Sequence, residues 1–187
     1  MNPDDIENEI TRLTIESIQA IKVIQGNNGE LGANRYIISN NENALNVMET
    51  FALIRLSDWE NPTVDVVPLF ESVDDLLNAH NVMEQLYTNP VYANHLVNRE
   101  MKQTIMLGFS DGTKDGGYLM ANWSIYKAKE ELTAISRKYG IKVIFFDGRG
   151  GPPSRGGGKT HKFYASLGPK IENNEIQITV QGQTISS

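Results

Sequence analysis

Apolar residues recur along this chain with two alternating periods. Ile6, Ile10, Leu13, Ile18, Ile21 and Ile24 fall at roughly helical spacing and predict an amphipathic helix over residues 4–24, stopped by Gly26-Asn27-Asn28-Gly29. Tyr36-Ile37-Ile38-Ser39 is a short strand candidate. Residues 42–56 are helical again, with Leu45, Met48, Phe51, Ala52 and Arg55 along one face. After a turn at Asp58–Pro62, Val64–Phe70 is a mostly apolar strand. Ser72 and Asp75 offer N-cap chemistry for a helix running to about Tyr87, with Leu76, His80, Met83 and Tyr87 on one side. Asn89–Asn98 reads as a looser connection that has room for a short helical turn.

Thr104–Phe109 predicts the next strand. Tyr118–Tyr139 predicts the longest helix, with Ile125, Ala128, Leu132, Ile135 and Tyr139 on its inner face and Gly140 as its left-handed cap. Ile141–Phe146 is a β-branched and aromatic run broken only by Lys142, as expected of a strand covered on both faces. A short helix near Lys162–Leu167 and a strand at Ile176–Val180 complete the series. This alternation implies an α/β fold with a parallel sheet and right-handed crossovers. Two architectures fit: an open doubly wound sheet, or part of a closed β/α barrel.

Composition narrows the class without changing that picture. The 187 residues suffice for one domain, and 40% hydrophobic with 21% charged residues is ordinary for a globular protein. A net charge of -6 argues against a nucleic-acid binder. With no cysteine, disulfides and thiolate metal sites are excluded, and a cytoplasmic location is expected. No apolar run approaches the roughly 20 residues of a membrane span. The acidic start Met1-Asn2-Pro3-Asp4-Asp5 is no signal peptide.

In parallel α/β folds, ligands sit at the carboxyl ends of the strands. Three successive predicted strand ends carry chemistry: Glu71, then Ser110–Gly117 with Asp111 and Lys114, then Asp147–His161. Half of the 16 glycines lie between Gly140 and Gly168. Glycines let backbone N–H groups approach an anion, and Arg149 and Arg155 add planar forks that match phosphate oxygens. Pro152 and Pro153 stiffen the loop. The competing reading is a surface connector with solvated charges. A nucleotide-binding loop, G-x-x-x-x-G-K-S/T, fails because its first glycine falls on Pro153. Glu71 and Asp111 have the oxygen donors that a hard divalent cation prefers, or else each caps a helix or pairs with a base. Lys114 points at the same anion or pairs with Asp111 or Asp115. His80, His95 and His161 show no metal-ligand spacing, and the scattered Trp59, Trp123 and tyrosines predict core positions.

Pro68-Leu69-Phe70-Glu71, Gly108–Gly117 and Phe146–Gly157 together resemble the phosphoenolpyruvate carboxylase family. That family has P-L-F-E, then G-F/Y-S-D-x-x-K-D-x-G, then F-H-G-R-G-G-x-x-x-R-G-G, in this order and at similar spacing. The resemblance runs from about Ile15 through the tail, where the family has a strand ending near V-x-x-Q-G-E. It implies that Glu71 and Asp111 bind Mg²⁺ or Mn²⁺. It implies that Lys114, Arg149 and Arg155, with Gly150, Gly151, Gly156 and Gly157, contact phosphoenolpyruvate, bicarbonate or the carboxyphosphate formed from them. The implied fold is an elaborated β/α (TIM-like) barrel, with residues 1–187 one partial-barrel segment and the remainder of a homo-oligomeric parent chain as its partner.

Two departures qualify the carry-over. Asp147 stands where the commoner pattern has histidine. A carboxylate cannot donate a proton as imidazole does, and it would repel phosphate, so Asp147 is expected to turn toward Arg149, Lys159 or another cation. The family's catalytic histidine and further arginines also have no counterpart here, so the chain reads as an inactive piece of a larger carboxy-lyase. A complete β/α barrel takes about 250 residues. The alternative is a non-catalytic phosphate- or anion-binding α/β module.

Overall fold

Strands and helices alternate from end to end in the computed structural model, which describes residues 2–148 and 159–178, Asp115 by its backbone alone. The strands are β1 (Arg35–Ile38), β2 (Asp65–Phe70), β3 (Lys102–Leu107), β4 (Lys142–Asp147) and β5 (Ile176–Ile178). They form one parallel sheet in the order β1-β2-β3-β4-β5. The helices are α1 (Glu9–Asn28), α2 (Ala44–Leu56), α3 (Val73–Thr88), α4 (Pro90–Asn98), α5 (Ser110–Lys138) and α6 (Thr160–Ala165). The strand order never reverses, whereas a doubly wound sheet requires a reversal. α2 packs on α3 and α3 on α5, so these crossover helices lie side by side. No helix among the described residues is long and apolar enough to cross a membrane.

Local chemistry explains most boundaries. The Ser72 hydroxyl accepts from the Asp75 N–H while the Asp75 carboxylate accepts from the Ser72 N–H, closing the box expected at the start of α3. Asn43 and Asn46 do the same for α2. Gly140 takes φ 69° after α5, as its position predicts. Four expectations are corrected. α1 runs through Gly26 to Asn28, because only Gly29 takes the left-handed φ of 81° that ends it. α2 buries Val47, Phe51 and Ile54 and leaves Leu45 63% exposed, a rotation that the helix's apolar residues on all sides left open. Residues 90–98 form a full helix, capped by the Asn89 side chain with Pro90 in its first turn. The stretch from Ser110 is helical too, broken only where Gly117 takes φ 77°.

The core lies between sheet and helices. Val66, Phe70, Ile105, Leu107, Val143 and Phe145 pack against Leu76, Val82, Met83, Leu86 and Leu132. On the other face Val67, Leu69, Thr104 and Ile144 are buried as well, so β2 and β4 read as nearly unbroken apolar runs. The buried Gln103 is satisfied: its amide donates to Val66 O and Thr104 O, and its Oε1 accepts from the Tyr92 hydroxyl at 2.9 Å.

His95, on α4, is buried against Phe51 with ring centroids 4.6 Å apart. Burial, then the Arg99 charge, lowers its pKa to about 4 against the upward pull of a hydrogen bond to the Val64 backbone. An unfolded histidine takes a proton near pH 6.5, so between about pH 6.5 and 4 the unfolded chain binds a proton that the folded chain refuses. Stability is therefore expected to fall through that window, by about 1.4 kcal/mol per pH unit from this residue. Urea unfolding of wild type and His95→Gln at pH 7 and pH 5 checks this. Equal pH dependence in the two proteins would assign the loss to other groups.

Candidate functional site

Parallel pairing brings the ends of β2, β3 and β4 to one edge of the sheet. The Gly108 N–H donates to Phe70 O at 2.8 Å, carrying the β2–β3 ladder one residue past the strands. A Cβ at Gly108 would lie 3.2 Å from both Cα and Cγ of Glu71, and one at Gly112 would lie 3.5 Å from Glu71 O. These two glycines thus let the start of α5 settle against Glu71. Asp111 lies in the first turn of α5, where the helix dipole favours a negative charge.

The carboxylates of this edge are held differently. Glu71 is half-buried, and its pKa is raised by burial first, then by the charges of Asp111 and Asp75. Asp111 is exposed and accepts from Lys114 Nζ at 2.8 Å. Lys114 therefore pairs with Asp111 here, and a surface pair of this kind is worth about 0–1 kcal/mol. Asp147 is the last residue of β4 rather than the first of a loop. It is buried, and Oδ2 accepts from Lys129 Nζ at 2.7 Å and from the Tyr164 hydroxyl at 2.5 Å. The acid does turn to a cation, but to Lys129 of α5. Burial, the Asp147 charge and this hydrogen bond raise the pKa of Tyr164, so its hydroxyl remains a donor.

Arg149, Gly150, Gly151, Arg155, Gly156 and Gly157 lie outside the described residues, as do Pro152 and Pro153. Lys159 and His161 flank the start of α6 and are exposed. His80 sits beside Glu131 at 3.2 Å, away from the strand ends. No group of three or more histidines, cysteines or acids forms a cluster among the described residues. Trp59 is buried as expected, but Trp123 is 59% exposed and stacks on Tyr126 at 6.1 Å. It lies beside a cavity of about 280 Å³ bounded by Leu107, Phe109, Lys129, Asp147 and Phe163.

Sequence reasoning missed Lys129 and Tyr164. A signal for Lys129 was present, since it follows Ala128 and stands four residues after Ile125 on the apolar side of α5. A lysine there is buried only if something neutralises it. No sequence signal identified Tyr164.

A sequence model of phosphoenolpyruvate carboxylase matches residues 2–187. The chain is similar to the phosphoenolpyruvate carboxylases of Nitrosomonas eutropha, with 35% identity over 185 residues, and Nitrosomonas europaea, with 34% over 185. In each case the alignment covers 96% of this chain and 20% of the relative. The enzyme of Gloeobacter violaceus is 35% identical over 182 residues, covering 95% of this chain and 19% of its own. The chain thus spans about a fifth of the length of these relatives.

Gly108→Ala is expected to cost about 1–3 kcal/mol, because the added methyl meets Glu71 backbone that cannot swing aside. A shifted urea midpoint measures it. An unchanged midpoint would show that the ends of β2 and β3 part freely.

Proposed function

The chain belongs to the phosphoenolpyruvate carboxylase family, and from that premise we propose that it is the segment of a carboxylase carrying the metal-binding acids and the phosphate-binding loop. The observation that carries the reading is the shared edge of β2, β3 and β4. It gathers Glu71, Asp111 and the residue from which the glycine–arginine run departs. The parent enzyme would join phosphoenolpyruvate to bicarbonate, giving oxaloacetate and phosphate. Five consecutive parallel strands, with crossover helices packed side by side, suit the wall of a β/α barrel, with residues 1–187 as one segment of it. A cytoplasmic setting and a homo-oligomeric parent belong to the same proposal.

The acids fit a hard divalent cation. Charge on Glu71 is disfavoured by burial and by its acidic neighbours, a condition that a cation relieves. Among the described residues Asp111 is tied to the exposed Lys114, and the pair can part at little cost. Glu71 and Asp111 would hold Mg²⁺ or Mn²⁺, with water and substrate completing its shell. When bound, the ion supplies Lewis-acid stabilisation of negative charge on the pyruvate enolate.

The chain's own groups serve the phosphoryl end. Lys114, once released from Asp111, is free to approach the anion. Arg149, Arg155 and the amides of Gly150, Gly151, Gly156 and Gly157 would stabilise charge on the phosphoryl group as it passes to bicarbonate. Carboxyphosphate then yields the CO₂ that the enolate attacks. Proton transfer is assigned to parts of the parent enzyme outside these residues, so the 187-residue chain alone is expected to form no oxaloacetate.

Calorimetric titration of phosphoenolpyruvate with and without Mg²⁺ tests the reading. Metal-dependent binding, weakened at least about tenfold by Asp111→Asn, is expected. Binding indifferent to metal, Glu71 and Asp111 would replace it with a plain anion-binding module. Oxaloacetate formed by the chain alone would refute its dependence on other catalytic groups.

A further inference from the structure

Asp147 immediately precedes the glycine–arginine run, and a carboxylate facing the strand ends would repel an incoming phosphate. Strand alternation instead sets Asp147 on the side of Val143 and Phe145, both in the core beneath the helices. Lys129 is 2% exposed there and Asp147 5%. The ammonium also lies 5.4 Å from the ring centroids of both Phe145 and Tyr164. A single oxygen, Asp147 Oδ2, thus joins β4, α5 and α6.

Stability alone is a poor account of such a group. Desolvating two charges costs about as much as their attraction returns, and apolar side chains of similar size serve as well. What the group adds is direction and neutrality: a fixed exit for β4, and an acid whose charge is cancelled at 2.7 Å.

We propose that Lys129 and Tyr164 are positioning residues of the anion site, holding Asp147 as a neutralised anchor so that it adds no net negative field at the strand ends. This role rests on the reading of those strand ends as a phosphate site. Lys129 supplies the cancelling charge. Tyr164 supplies no charge, but it ties the residue before the run to the helix after it.

The test is a titration of the 187-residue chain with inorganic phosphate at pH 6, followed by NMR at the Gly148 amide. Lys129→Met leaves the acid uncompensated and is expected to weaken phosphate binding on the order of tenfold. Asp147→Asn leaves the ammonium uncompensated and is expected to tighten binding by a similar factor. The double variant is expected to return to within about twofold of wild type. Tyr164→Phe, which keeps both charges, is expected to weaken binding a few-fold.

Single variants that shift affinity in the same direction, or not at all, overturn the neutralising role. Unchanged affinity in Tyr164→Phe overturns the role of the tyrosine. If Lys129→Met does not fold, Asp147→Asn still decides the sign, since weaker binding contradicts the proposal. A wild-type chain that binds no phosphate overturns the underlying site, and this role with it.

Discussion

Each strand of the sheet pairs in parallel with the next strand of the chain, and much of the architecture follows from that. A parallel neighbour cannot be reached by a hairpin, so every connection must travel back along the sheet. Here the returns are helices, and α3 packs between α2 and α5 over the core. All five strands then end at one edge, and the residues that follow β2 and β3 are neighbours although far apart in sequence. Glu71 and Gly108 lie 37 positions apart in the chain, yet a Cβ at Gly108 would crowd Glu71 at 3.2 Å. The candidate site is a consequence of the pairing rather than an addition to it.

The two ends of the sheet use charge differently. Near the strand starts, Arg99 donates to Asp65 at 2.6 Å and lies 2.8 Å from Glu30, tying the exit of α4 to β2 and to the turn after α1. Desolvation works against the charged guanidinium, but the two acids outweigh it and raise its pKa. Lys102 and Lys142, at the starts of β3 and β4, likewise sit beside Glu100 and Glu175. At the strand ends, among the described residues, like charges meet instead, with Glu71 facing two further acids.

Much of this was legible in the residues, for identifiable reasons. Ser72 and Asp75 announce α3 because a capping box is a local device, complete within four residues. Gly140 announces its turn because only a left-handed φ serves there. The face of α2 was not legible, since apolar residues surround that helix and only its packing on α3, β2 and α1 decides which of them go inward. α4 was underestimated although Asn89-Pro90 is a recognisable helix start. Glu71 and Asp111 could be named as candidates because ligands sit at strand ends in parallel sheets. Lys129 showed only as a lysine on the apolar side of α5 and Tyr164 not at all, because their partner Asp147 lies 18 and 17 residues away in sequence.

Three acids near one edge show how placement decides what a carboxylate can do. Asp111 is exposed, and its ammonium partner can leave without exposing any buried charge. Glu71 is half-buried among other acids, so its charged form gains from any cation that arrives. Asp147 has the same functional group and a closer partner, yet it is the least available of the three. Both of its bonds fall on one oxygen, both partners are buried, and removing either leaves a desolvated group behind. An acid held that way cannot follow a ligand. What it does instead is tie the end of β4 to α5 and α6 through a single oxygen.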